Sequence, residues 1–396
     1  MKKILAILTL GHGMVHWFVG TFWVVLPLLA SELRLSFAQV GLLISARSLA
    51  TALTNLPAGA ATDILRRGRL IMGVTLAWLG IAYFGVGLAN SLWVVILGLI
   101  VVGIGGGLWH PPAMTILSER FPGRRGFALS VHGAGANAGD GLAPIAVGLL
   151  LAFLTWRQVL FVNALPGIMV GVIVFLAVSD GGAVAGQRKS LGEYLRHVKA
   201  LFKNRSFLSV AAVSALRSMS QNAFLTFLPL YLARQFEMSS AVVGFHVALV
   251  TISGVVSSPL LGILSDRLGR KPILVCGLFI ITAFILTLAS LPMGPQFTIA
   301  VAILGLFFYS LQGVLFATAM DVAGQEVGAT TVGMVFTGNL ILSSISPFLA
   351  GTIADARGLA STFYFSGAIT LLAALLVTIV PLKRTLSAPS SERTTT

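Results

Sequence analysis

Few side chains in this chain of 396 residues have the chemistry to do more than pack. Asp140, His12, His16, His110, Arg47 and Arg217 interrupt long apolar runs, and Gln221, Asn222 and Gln312 are polar members of similar runs. Burying ionisable groups in such surroundings is costly, which makes each a functional candidate by default. Asp140 is the one carboxylate placed well inside an apolar run. Unpaired, it favours its protonated form and can bind and release a proton; beside a cation it stays ionised as half of a structural ion pair. Arg47 reaches a broadly similar depth, and Asp140, Arg47 and His16 form the proton-coupling set. His12 and His16, four residues apart, share one helix face. They suit three roles: lining a cavity for substrate or protons, hydrogen-bonded packing, or metal ligation. The last needs further ligands, and with neither a Cys cluster nor an HExxH pattern present no metal is assigned. Arg217, followed by Gln221 and Asn222, offers a planar fork of donors suited to an anionic group; pairing with Asp140 is its competing role. His132, His246, Gln312 and Asn339 read individually as satisfied interior polar groups.

The elements that must position these residues follow from composition. Hydrophobic residues make up 57% and charged residues 10%, where a soluble domain carries about 25% charge. No water-soluble globule fits those proportions. Twelve apolar spans, each near the roughly 20 residues that cross about 30 Å of hydrocarbon, are read at 4–30, 39–61, 70–88, 92–117, 127–152, 158–178, 207–232, 241–263, 272–290, 296–320, 329–354 and 360–381. The opening Lys2-Lys3 and its apolar run are not read as a secretory signal, because the run contains His12 and His16, continues to Ala30 and offers no persuasive cleavage site. With both termini in the cytoplasm, most Lys and Arg fall in inner loops and Arg34, Arg157, Arg234 and Arg357 fall outside, the bias expected of a multi-pass protein of the cell's inner membrane. The net charge of +14 is thereby explained without nucleic acid, since no aromatic stacking platform lies between these short basic loops.

The chain divides into an N-terminal six-helix bundle (1–178), a cytoplasmic linker (179–206), a C-terminal six-helix bundle (207–386) and a disordered tail (387–396). In the linker Leu191, Leu195, Val198 and Phe202 alternate with Arg196, Lys199 and Lys203 at helical spacing, which predicts a basic amphipathic helix on the anionic inner leaflet. The single cysteine, Cys276, excludes an intrachain disulfide and reads as a packing residue. Gly103-Ile104-Gly105-Gly106-Gly107 follows no strand and reads as close helix packing, not a phosphate loop. His110-Pro111-Pro112 is expected to kink or end the fourth helix.

Between two of these spans lies the polar turn Gly262 to Lys271. Gly262 lets another helix approach, Asp266 can accept hydrogen bonds at a helix end, Gly269 permits a turn, and Arg267, Arg270 and Lys271 hold the turn on the cytoplasmic side. A weaker copy with the same Gly-to-Asp spacing, Gly59 to Asp63, sits about half a chain earlier, as duplication of a six-helix unit would produce. The run from Gly262 to Lys271 resembles the signature loop of the major facilitator superfamily, G-x-L-(A/S)-D-R-x-G-R-K. Gly135 to Gly148 resembles that superfamily's antiporter motif, with Ala143 and Val147 replacing two glycines. Leu26-Pro27, Gly107 to Pro111 and Pro122 to Gly126 look like the fosmidomycin-resistance type of efflux protein. One departure stands out: many proton-driven antiporters of the superfamily carry an Arg where this chain has Leu99.

The resemblance implies an all-α membrane fold of twelve transmembrane helices in two six-helix pseudo-repeats, working by alternating access. It also implies that helices one, four, seven and ten line the cavity, which brings His12, His16, His110, Arg217 and Gln312 near it. Gly59, Asp63, Gly262, Asp266, Arg267, Gly269 and Arg270 would form the gating loops. No nucleophile with a base and no metal cluster is found, so the chain is not read as an enzyme, and no cofactor is expected. The expected function is that of a monomeric secondary transporter, an antiporter driving efflux of a small amphipathic or anionic compound against protons. Uptake or exchange of an organic anion is the alternative on the same fold, favoured by Arg47, Arg217 and Leu99. A non-transporting membrane sensor is the alternative of another class.

Overall fold

A computed structural model of the protein describes residues 2–65, 67–179, 196, 199–323 and 328–380. Twelve long helices occur among them: α1 (Lys2–Glu32), α2 (Phe37–Leu65), α3 (Gly68–Gly87), α4 (Leu92–Arg120), α5 (Arg125–Leu150), α6 (Trp156–Ala177), α7 (Arg205–Gln235), α8 (Ser240–Leu268), α9 (Arg270–Leu288), α10 (Pro295–Ala323), α11 (Gly328–Arg357) and α12 (Ser361–Ile379). Each matches one expected span. Most run past their apolar stretch, because polar end residues continue the backbone hydrogen bonding beyond the hydrocarbon. Ten are long and apolar enough to cross a membrane by themselves; α5 and α7 are not among them. These two carry Asp140 and Arg217.

Local sequence sets the helix ends. Thr155 and Gln158 form a reciprocal capping box at the start of α6, Asn204 accepts the Phe207 N–H at the start of α7, and Ser239 accepts that of Val242 at the start of α8, each satisfying amides that a helix leaves unpaired. Between α8 and α9, Gly269 has φ +99°, a conformation that bears out the expected turn glycine. Arg34 and Glu237 adopt left-handed backbone in the α1–α2 and α7–α8 turns, with φ 52° and 51°. The same left-handed backbone conformation thus occurs at the same place in each half of the chain.

Helix pairing repeats with an interval of six helices. Helix α1 packs on α5, α2 on α4 and α3 on α6; correspondingly α7 packs on α11, α8 on α10 and α9 on α12. Contact across the two sets runs along two seams, α2 with α11 and α5 with α8. Both seams close at the end of the bundle distant from the chain termini. A Cβ on Gly41 would lie 2.1 Å from the Pro347 carbonyl oxygen, one on Gly351 2.2 Å from that of Phe37, and one on Gly244 2.1 Å from that of Pro144. The Asp355 carboxylate accepts the amide protons of Phe37 at 2.7 Å and Ala38 at 2.9 Å, capping α2 from the other half where the helix dipole favours negative charge. Arg234 adds its guanidinium over the Phe37 ring at 5.3 Å. At the opposite end, Cβ atoms added to Gly59, Gly133, Gly262 and Gly333 would meet no described atom within 4 Å.

Several expectations are corrected by the packing. Gly262 does not admit a neighbouring helix here, since a Cβ on it would meet no described atom within 4 Å. The fourth helix neither ends nor breaks at His110-Pro111-Pro112 and is continuous to Arg120; neighbouring helices let a membrane helix absorb the missing amide donors. Cys276 lies on the exposed face of α9 and is not packed inside. Most of the expected linker helix, the Asp63 side chain and the tail 387–396 lie outside the described residues. Residues 199–203 are helical, with Leu201 docked on the core and Phe202 exposed.

Because the distal seams consist of carbonyl oxygens against glycine, added bulk should separate them. Gly244→Val is expected to destabilise this arrangement by about 1–3 kcal/mol through overpacking, and Asp355→Ala by about 0.5–2 kcal/mol through the lost cap. In a Cys276→Ser background, labelling of Ser240→Cys by a membrane-impermeant maleimide should rise several-fold in either variant; unchanged labelling would show that the seam does not depend on these contacts.

Candidate functional site

Glycines along α5 bring its functional side chain to α1. Cβ atoms at Gly135 and Gly139 would come within 2.2 Å of the Thr9 carbonyl oxygen and 2.1 Å of that of Gly13, so backbone rests on backbone as small residues allow in membrane helices. Farther along α5, Gly148 and Pro144 make the seam to α8. The run resembling the antiporter motif therefore serves as a two-sided contact strip, on α1 at one level and on α8 at another.

The α1–α5 contact presses His16 against Asp140, with Nδ1 of the histidine 2.9 Å from Oδ2 of the carboxylate. Asp140 is 6% exposed, and its Oδ1 has no hydrogen-bond partner. One turn before His16, the Nδ1 of His12 donates to the His132 carbonyl oxygen at 2.9 Å. The His132 ring stacks on that of His12 with centroids 4.1 Å apart, and His110 from α4 approaches His12 edge-on at 5.2 Å. One ring nitrogen each from His12, His16 and His110 lie within 4.8 Å of one another. Phe336 of α11 meets the His110 ring at 6.2 Å, so the second half of the chain reaches this cluster.

Arg217 occupies the other half. It is 2% exposed and donates to the Phe308 carbonyl oxygen, to Oε1 of Gln312, to Oε1 of Gln221 at 2.9 Å and to Oγ of Ser218 at 3.3 Å. All four acceptors are neutral, and no carboxylate pairs with the guanidinium among the described residues. The expected alternative of an Arg217–Asp140 ion pair is not formed, since Asp140 pairs with His16. The Tyr309 hydroxyl of α10 is in electrostatic range of both Asp140 and Arg217 and 3.4 Å from Thr251 Oγ1. Asn222 donates to the Ser343 carbonyl oxygen at 2.9 Å and so ties α7 to α11.

The remaining candidates are distributed elsewhere. Arg47 is not brought to Asp140; it faces the Tyr83 hydroxyl of α3. His246 is satisfied by the Val242 carbonyl oxygen and the Thr298 hydroxyl, and Asn339 donates to Ser214 Oγ. In the turn between α8 and α9, Arg270 pairs with Asp266 and, at 3.2 Å, with Asp321; Lys271 donates to the Val380 carbonyl oxygen at 2.8 Å, and Arg267 is exposed. These links hold α8, α9 and α10 together inside one half.

The model of the Major Facilitator Superfamily matches residues 8–346 and 210–395. The chain belongs to that superfamily. A probable sulfoacetate transporter of Cupriavidus necator, SauU, is 27% identical over 88% of this chain and 86% of its own. The multidrug resistance protein MdtG of Salmonella arizonae is 24% identical over 78% of each. Among solved structures, a bacterial homolog of the human lysosomal transporter Spinster, in an inward-facing and unoccupied conformation, superposes with TM-score 0.83 at 19% identity over 96% of both chains. A D-xylose–proton symporter superposes with TM-score 0.77 at 14% identity over 95% of this chain and 97% of its own. As a facilitator-superfamily protein the chain is a multi-pass secondary transporter and not an enzyme.

Sequence reading missed Tyr309, Phe336 and Asp355. Tyr309 sits in an aromatic-rich run and Phe336 alone in an apolar one, with nothing in their spacing to mark them. Asp355 sits near a span end, where an acidic residue is unremarkable. The backbone contact beneath the His16–Asp140 pair has a direct test. Gly139→Val should push α5 from α1, destabilise the protein by about 1–3 kcal/mol and abolish transport, whereas Gly133→Ala, whose Cβ meets no described atom within 4 Å, should leave both unchanged. Thermal unfolding and vesicle flux of the two variants check this.

Proposed function

We propose that the protein exports a small amphipathic or anionic compound across the cell's inner membrane by alternating access, as a monomer exchanging its cargo for protons. The observation carrying this reading is the contact between the buried Asp140 and the half-buried His16. One proton taken up by the ionised carboxylate and neutral imidazole brings the pair from −1 to neutral, which lowers the cost of enclosing it in a low-dielectric interior. Loading with protons thereby favours a closed arrangement around the pair, and cargo competes for the same space.

The cargo's charge is suggested by Arg217. A guanidinium held by four neutral acceptors keeps its full positive field, and a carboxylate or sulfonate entering beside it would supply the missing counter-charge. The relative named as a sulfoacetate transporter agrees with an anionic cargo, and the relative named for multidrug resistance agrees with export. With the termini in the cytoplasm, as the distribution of Lys and Arg favours, the parted end opens inward. Ion pairs around Asp266, Arg270 and Asp321 would brace that opening within one half. A second reading, uptake of an organic anion, is favoured by the same Arg217 geometry and differs in direction alone.

Reconstituted vesicles with an imposed pH gradient test both readings. Asp140→Asn is expected to remain folded and to lose gradient-driven flux at least 100-fold, while Arg217→Gln should raise the KM for an anionic cargo at least tenfold and spare a neutral one. Full pH-driven transport by Asp140→Asn would remove the coupling assignment, and accumulation toward the cytoplasmic face would replace export by uptake.

A further inference from the structure

The histidine cluster does more than a proton carrier requires. A single proton-coupling pair is complete with Asp140 and His16, yet His12 and His110 also present ring nitrogens within 4.8 Å of His16 and of each other. The tautomers of two rings are set by their partners. His12 Nδ1 faces a backbone carbonyl oxygen and His16 Nδ1 faces a carboxylate. Both partners accept, so each Nδ1 carries hydrogen, and in the neutral rings the lone pair is on Nε2. The His12 Nε2 is buried, without a hydrogen-bond partner, in a residue 7% exposed. A buried acceptor left in this way is costly. A metal ion held by one ring nitrogen from each of the three residues would satisfy the orphaned His12 Nε2.

We propose that His12, His16 and His110 bind one divalent transition-metal ion, of the Zn2+, Co2+ or Ni2+ class, in the space between α1 and α4. Imidazole nitrogens suit these ions. Bonds of about 2.0–2.1 Å place tetrahedral ligand nitrogens roughly 3.3 Å apart, so the rings draw together by about 1.5 Å, a shift within reach of side-chain rotation on His16 and His110, both partly exposed. Asp140 then acts as a carboxylate behind a metal-bound histidine, fixing its tautomer and increasing its basicity, and it offsets half of the ion's charge. Three protein nitrogens leave a coordination position open to water or to an anionic cargo. The site stands whether or not transport is proton-driven.

The test uses the full chain, purified without a polyhistidine tag and placed in lipid nanodiscs. Titration with Co2+ should produce intense tetrahedral d–d absorption saturating at one ion per chain, and X-ray absorption of the Zn2+-loaded protein should show scattering from three imidazoles. His110→Gln should weaken binding at least 100-fold and Asp140→Asn 10- to 100-fold, while His246→Gln binds like the parent chain. Saturation at one ion with no loss in His110→Gln would place the ion elsewhere and overturn the proposal. So would fewer than two imidazoles around zinc, or no Co2+ absorption by the parent chain, measurements that need no variant to fold. Persistence of Co2+ binding alongside a failure of pH-driven flux would retain this site and remove the proton-coupled reading alone.

Discussion

The architecture depends on backbone meeting backbone along α5. Gly135 and Gly139 let α1 come so close that main-chain atoms touch, and in hydrocarbon, where apolar burial offers helices little reason to associate, close packing is what holds them. That approach places His16 on Asp140 and lines His12 against His132. At its other end the same helix presents Pro144 and Gly148 to α8. One helix therefore holds the polar centre of its own half and carries part of the joint to the other.

Polarity is concentrated where protein, not lipid, surrounds it. Helices α5 and α7 fall outside the set that could cross a membrane by composition alone, and each supplies one of the central ionisable groups. Their polar residues are held by neighbours: Arg217 by α10, Asn222 by α11, Asp140 by α1. Tyr309 is near enough to feel both central charges, so a change of charge on one side of the bundle is felt on the other.

Much of the fold was legible in the sequence, and less of the site. Twelve apolar spans of suitable length fix the helix count, and the Gly262–Lys271 turn points to the family because its residues form a local motif. The pairing of His16 with Asp140 was not legible: Arg47 and Arg217 also reach the middle of the bundle, and the choice among them depends on which helices touch. Likewise His12 and His16 announce a shared face by their spacing, while the arrival of His110 depends on α4 continuing as a helix through Pro111 and Pro112. Gly262 shows a further limit. A glycine signals room for a neighbour, and whether the neighbour is present depends on which end of the bundle is closed.

The distal joint between the halves is made largely of carbonyl oxygens against glycine and of a carboxylate on amide protons. Such a joint carries little side-chain information. Side chains around His16, Asp140 and Arg217 can therefore change without disturbing the contacts that hold the two bundles in register.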